Sequence, residues 1–125
     1  MPILVQAVSD LRDAMTRNQV ERLYETSPEF GDGQDAIDQL DQELTKDTLL
    51  YIAVFNEKAI GAIWCTGKES TKLLQYIVIH PANRGRGVSD RLISEVCRME
   101  EEKGALHFKP GCGAIHRSLV RLEKL

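Results

Sequence analysis

The residues best suited to chemistry lie in one short stretch, Asn83-Arg84-Gly85-Arg86-Gly87-Val88-Ser89. Glycines at 85 and 87 let the main chain approach a phosphate closely, and Arg84 and Arg86 bring positive charge to the same place. The stretch sits between an apolar run ending at Ile79 and a run of helical periodicity opening at Val88 and Ser89. A helix start presents unpaired N–H groups and the positive end of the helix dipole. The spacing therefore predicts an anion site made largely of backbone amides.

Three phosphate-binding patterns are excluded by the letters. A P-loop ends in Gly-Lys-Ser/Thr, which is absent, and the dinucleotide fingerprint needs a third glycine where Asp90 stands. A kinase glycine loop needs a catalytic apparatus larger than 125 residues can hold. A formal net charge of -3 argues against nucleic acid as the main partner, since that binding needs concentrated positive charge. The phosphate must be held locally.

With 42% hydrophobic and 28% charged residues, the chain is of the ordinary globular class, and its length predicts one domain over residues 1–125. Met1-Pro2-Ile3-Leu4-Val5-Gln6-Ala7 is apolar too briefly for a signal peptide and reads as a first strand, and no run approaches membrane-spanning length. Cys65, Cys97 and Cys112 are odd in number and widely spaced, which suits reduced thiols in a cytoplasmic protein. His80, His107 and His116 lack metal-site spacing, so no metal is expected.

The elements that must position the loop follow from hydrophobic periodicity. Residues 3–8 read as a strand; Ser9-Asp10 offers a cap to a helix buried through Leu11, Met15, Val20, Leu23 and Tyr24. A loop over 26–33 leads to a second helix over 35–45. Residues 49–55 and 59–66 form a hairpin about Asn56-Glu57-Lys58, and the apolar run 72–79 predicts a central strand ended by His80-Pro81. Val88, Leu92, Ile93, Val96 and Met99 make the apolar stripe of a helix stopped by Gly104. A strand over 105–109, a turn over 110–113 and a last helix through Ile115, Leu119 and Leu122 complete the order βααβββαβα. The expected class is α/β (α+β), a mixed, mostly antiparallel sheet flanked by helices.

The Arg84, Gly87 and Ser89 spacing resembles the Arg/Gln-x-x-Gly-x-Gly/Ala signature of the GNAT (GCN5-related N-acetyltransferase) superfamily. The preceding Ile79-His80-Pro81, the loop and the amphipathic helix also fall in that superfamily's order. The resemblance implies acetyl-CoA or CoA as cofactor, its pyrophosphate on residues 84–89. It further implies that the strand ending at Ile79 splays from the strand over 105–109. The pantetheine arm would lie in the gap, its amides paired to backbone groups of Ile77 and Ile79.

Acetyl transfer to an amine requires the amine to lose a proton, the thioester carbonyl to be polarised and the thiolate to be protonated. The superfamily's glutamate on the strand before the loop falls here on Gln75, an amide that takes no proton at neutral pH. Its tyrosine acid in the last helix falls on Leu122, and its asparagine near Ile115. Tyr76, His116 and Cys112 remain as substitutes, with Glu69 as a loop base. Superfamily members continue past the position of Leu125 into two more strands, so a partner chain or a second copy is expected on the open sheet edge.

Within the superfamily, Tyr51 to Lys58, Tyr24-Glu25-Thr26-Ser27-Pro28 and the Arg-Gly-Val of the loop are similar to the PanZ (PanM) family. That resemblance implies an acetyl-CoA-dependent factor that binds the aspartate 1-decarboxylase precursor, promotes its self-cleavage and so regulates pantothenate synthesis. Ser27, Arg84 and Arg86 are then candidate partner contacts. A catalytically active N-acetyltransferase is the alternative.

Overall fold

The computed structural model describes residues 3–125, so Met1 and Pro2, expected at the head of the first strand, lie outside it. In chain order come β1 (Leu4–Val8), α1 (Ala14–Glu25), α2 (Gly33–Glu43), β2 (Thr48–Phe55), β3 (Lys58–Thr66), β4 (Thr71–Ile79), α3 (Val88–Glu102), β5 (His107–Pro110) and α4 (Gly113–Arg121), with a 3-10 turn at Pro81–Asn83 between β4 and α3. This is the order read from periodicity. The five strands lie side by side in sequence order, antiparallel except for the parallel pair β4–β5.

Alternation along the strands divides the core in two. Tyr51, Ala53, Ile63 and Cys65 point to α3 and α4, meeting Leu92, Ile93, Val96, Ile115 and Leu119. Leu50, Ile52, Ala62 and Trp64 point the other way, onto Val20, Leu23, Tyr24, Ile37 and Leu40 of α1 and α2. The β2–β3 hairpin turns through Asn56 and Glu57, both at positive φ (54° and 67°), as a two-residue turn of matching twist requires.

The first helix starts later than Ser9-Asp10 suggested. Asp13 is the N-cap, its carboxylate accepting from the Thr16 N–H at 2.9 Å, while Asp10 accepts from the Arg12 N–H in the preceding turn. The shift takes Met15 off the buried face: it is 67% exposed, whereas Val20, Leu23 and Tyr24 are buried. Helix α2 likewise starts earlier than residue 35, because Asp32 caps it by accepting from the Asp35 N–H at 2.7 Å.

Two features of β4 shape everything that follows. Its pairing with β5 covers Thr71 to Leu74 only, and the chain of β5 leaves after the Gly111 N–H donates to the Leu74 carbonyl at 2.7 Å. At that point β4 carries a bulge. The register against β3 slips between Trp64↔Gln75 and Ala62↔Val78, and Tyr76 takes φ 55°. Leu74 thus faces α3, Tyr76 and Val78 face α1 and α2, and Ile77 and Ile79 face α3. The Tyr24 hydroxyl donates to the Tyr76 carbonyl at 2.5 Å and so holds the bulge from α1. The bulge parts β4 from β5 and opens a wedge at the C-terminal end of β4.

Candidate functional site

The wedge runs directly into the glycine loop. Gly85 and Gly87 stand at φ 76° and 77°, the left-handed region that glycine enters without cost, and a Cβ at either would meet nothing within 4 Å. Both therefore face open space large enough for an approaching group. Gly87 is the N-cap of α3 and has no side chain to offer its first turn, so no cap bond satisfies the N–H groups there. Open amides, open space and the positive end of a 15-residue helix give this loop the features that an anion site needs.

A cleft of about 350 Å³ lies against this loop, lined by Asn83, Arg84, Gly85, Gly87, Val88 and Ser89 together with Asp90 and Arg121. Asp90 puts a carboxylate in the first turn of α3, where an incoming phosphate would be repelled. Arg121 of α4 offsets it with bonds to both carboxylate oxygens at 2.7 and 3.0 Å, and the Ser118 hydroxyl donates to the same group. The Arg121 bonds foremost, then Ser118, hold the Asp90 carboxyl below its ordinary range, so it is fully charged and fully paired at neutral pH. Arg121 was not singled out in the sequence, because nothing local in α4 signals that its last turn returns to the loop.

Sharing Ile79, Arg84 and Ser89 with this cleft is a second one of about 240 Å³. Its floor is Ile77, Val78 and Ile79 of β4, and its walls are Ile93 of α3, Ala114 of α4 and the 26–29 loop. Beyond Leu74 the edge of β4 has no β5 partner, so β5 supplies no hydrogen bond to the Ile77 backbone. The Ile79 carbonyl differs from expectation. It accepts from Arg84 Nε at 3.0 Å and is not a free acceptor. The same guanidinium reaches the Thr26 hydroxyl at 3.4 Å, so Arg84 ties the end of β4 to the end of α1 across the cleft mouth. Arg86 is exposed and lines neither cleft.

Glu29, also unmarked in the sequence, supplies the one carboxylate on the walls of the inner cleft among the described residues. Thr26 is bonded to Arg84, and four residues further Phe30 packs on the Tyr76 ring at 4.9 Å between centroids. Glu29 therefore sits toward the Tyr76–Ile77 end of the cleft, away from the glycine loop. Partial burial pushes its carboxyl above the ordinary value.

The family model described as "Acetyltransferase (GNAT) domain, PanZ" matches residues 7–109. The chain belongs to the PanZ family. A search of curated proteins finds none that matches the sequence. Among solved structures, a GNAT family acetyltransferase from Staphylococcus aureus superposes with TM-score 0.73 at 19% identity, covering 90% of this chain and 88% of that one. The ribosomal-protein-S18-alanine N-acetyltransferase of Escherichia coli gives 0.75 at 11% identity, over 97% and 76%. An aminoglycoside 6'-N-acetyltransferase complexed with coenzyme A gives 0.72 at 15% identity, over 86% and 60%. At these identities the likeness shows a shared fold.

The catalytic substitutes suggested for this PanZ-family chain are not brought to the clefts. Tyr76 turns its ring to the opposite face of the sheet, 4.5 Å from Trp64 between centroids. His116 is exposed on α4, two residues past Ala114 and so turned away from the wall that Ala114 forms. Cys112 is half-buried and packs against the α3–α4 core. Glu69 lies in the turn before Thr71, at the far end of β4 from the glycine loop. Ile115 and Leu122 pack in the core. Ser27, offered as a partner contact, is 8% exposed and lines the inner cleft, which leaves it little surface for a second protein. Among the described residues no three His, Cys, Asp or Glu side chains are grouped to hold a metal, and no helix is long and apolar enough to cross a membrane.

Proposed function

We propose that this PanZ-family chain binds acetyl-CoA as a signal and, in that state, engages the aspartate 1-decarboxylase precursor to promote its maturation. The carrying observation is the asymmetry of the site. Its loop has open glycine faces and uncapped helix amides, while the walls of the inner cleft, among the described residues, hold no tyrosine, cysteine or histidine side chain.

In this reading the amides at the start of α3 hold the pyrophosphate and Arg121 keeps Asp90 from opposing it. The Ile77 backbone, left unpaired by β5, offers hydrogen bonds to an amide-bearing arm lying in the wedge. Acetyl-CoA when bound supplies a thioester carbonyl at the end of that arm. A ligand-dependent surface needs these binding groups and no acid or base. The test is co-purification with the decarboxylase precursor with and without acetyl-CoA; ligand-independent or absent capture refutes the partner role.

A second reading, an active N-acetyltransferase, is favoured by Glu29, whose raised pKa suits it to take a proton from an amine. Thiol release across a panel of amines separates the two. Turnover that Glu29→Gln abolishes supports the transferase, and no release with any amine supports the signal-binding role.

A further inference from the structure

The inner cleft is a half-open slot whose electrical character is set by two side chains, Arg84 at the loop end and Glu29 toward the other. The rest of its wall is apolar or neutral: Pro28, three β4 residues, Ile93 and Ala114, with the Thr26, Ser27 and Ser89 hydroxyls. Arg84 is already bonded to the Ile79 carbonyl and the Thr26 hydroxyl, so its charge is drawn to the mouth. Glu29 has no salt-bridge partner among the described residues. Among the described residues its one hydrogen bond is through the backbone: the Glu29 N–H donates to Ser27 Oγ at 3.4 Å. An uncompensated carboxylate thus faces the part of the slot that the distal end of a ligand anchored at the glycine loop would enter.

We propose that Glu29 is an acyl-selectivity residue, admitting short uncharged acyl groups and rejecting acyl groups that end in a carboxylate. This rests on the reading that the chain binds an acyl-CoA. The physics is like-charge repulsion in a partly desolvated slot, where a second carboxylate has no cation to pair with because Arg84 is occupied at the far end. An acetyl group meets no such cost. Selectivity of this kind lets the protein respond to one acyl-CoA in a mixed pool.

The test is calorimetric titration of the full chain with CoA, acetyl-CoA and succinyl-CoA at pH 8, for the native protein, Glu29→Gln and, as a charge control, Glu69→Gln in the distant turn. The quantity read is the ratio of the succinyl-CoA to the acetyl-CoA dissociation constant. It is expected to be about tenfold or more in the native protein and in Glu69→Gln, and to fall below about threefold in Glu29→Gln. A native ratio near one, or a ratio that Glu29→Gln leaves unchanged, overturns the proposal. If CoA itself fails to bind the native protein, the acyl-CoA reading falls and takes the selectivity role with it, an outcome separate from an unchanged ratio. Glu29 as a whole residue is exposed although its carboxyl is partly covered, and among the described residues its side chain makes no hydrogen bond or salt bridge, so the variant is expected to melt within a degree or two of the native protein.

Discussion

Replacing Gly87 by alanine separates what the loop does for the fold from what it does for a ligand. At φ 77° an L side chain costs about 1 kcal/mol of backbone strain. A Cβ there meets nothing within 4 Å, so no steric cost is added in the free protein. Gly104, just past the C-terminal end of α3, is a matched control: it stands at φ 105°, and its Cβ would also meet nothing within 4 Å. The two sites are separated by the 15 residues of α3, about 22 Å at the helical rise. Both variants should therefore lower the melting temperature of the free protein by about 4 °C. Only Gly87→Ala puts a methyl group where a phosphate must come within hydrogen-bond reach of the helix amides. Bonds to a charged group are each worth about 2 kcal/mol, so calorimetry should show CoA binding weakened about 30-fold in Gly87→Ala and unchanged in Gly104→Ala. Equal CoA affinities in the two variants would refute the loop assignment, whatever their melting temperatures.

Other outcomes follow from single contacts. Tyr24→Phe removes the hydroxyl that the partly buried Tyr76 carbonyl relies on and should cost about 1–2 kcal/mol in denaturant unfolding, with weaker CoA binding as the bulge relaxes. Ile37→Ala empties a fully buried position between α2 and the sheet and should cost about 3 kcal/mol in the same assay. Asp90 is held below its ordinary pKa in the folded state. The stability it contributes is therefore complete above the unfolded value of about 4 and is lost as pH falls through the folded value, so the melting difference between native and Asp90→Asn should be constant from pH 6 to 8 and shrink toward pH 3. Burial pushes the Cys65 and Cys97 thiols up to about 12, so a disulfide reagent at pH 8 should titrate half-buried Cys112 promptly and the other two only on unfolding.

Much of the fold was legible because periodicity reports burial. The stripe Val88, Leu92, Ile93 and Val96 and the apolar run of β4 each named their element and its covered face. Helix starts were less so. Asp10 and Asp13 have equal intrinsic claims to cap α1, and the choice was made by packing that buries Leu11 ahead of the helix. The loop was legible because glycine spacing before a helix has a direct backbone meaning. Glu29 and Arg121 were not, since each reaches the site through tertiary approach: one by a loop folding over β4, the other by α4 returning to the start of α3. Tyr76 misled for a related reason. Alternation counted from Leu74 puts its ring toward α3, and one bulge residue reverses that count.

That reversal also bears on how the segment tolerates change over generations. Residues 74–79 work only as a phased unit, since Ile77 and Ile79 must face α3 while Tyr76 and Val78 face α1 and α2. Loss of Gln75 would restore regular alternation with Leu74, Ile77 and Ile79 still facing α3 and Tyr76 and Val78 still facing α1 and α2, so what disappears is the backbone irregularity at the point where the pairing of β4 with β5 ends. Side-chain substitutions can drift at several of these positions, but a single-codon deletion at the bulge would remove the irregularity that opens the wedge while leaving every residue that lines it in the gene.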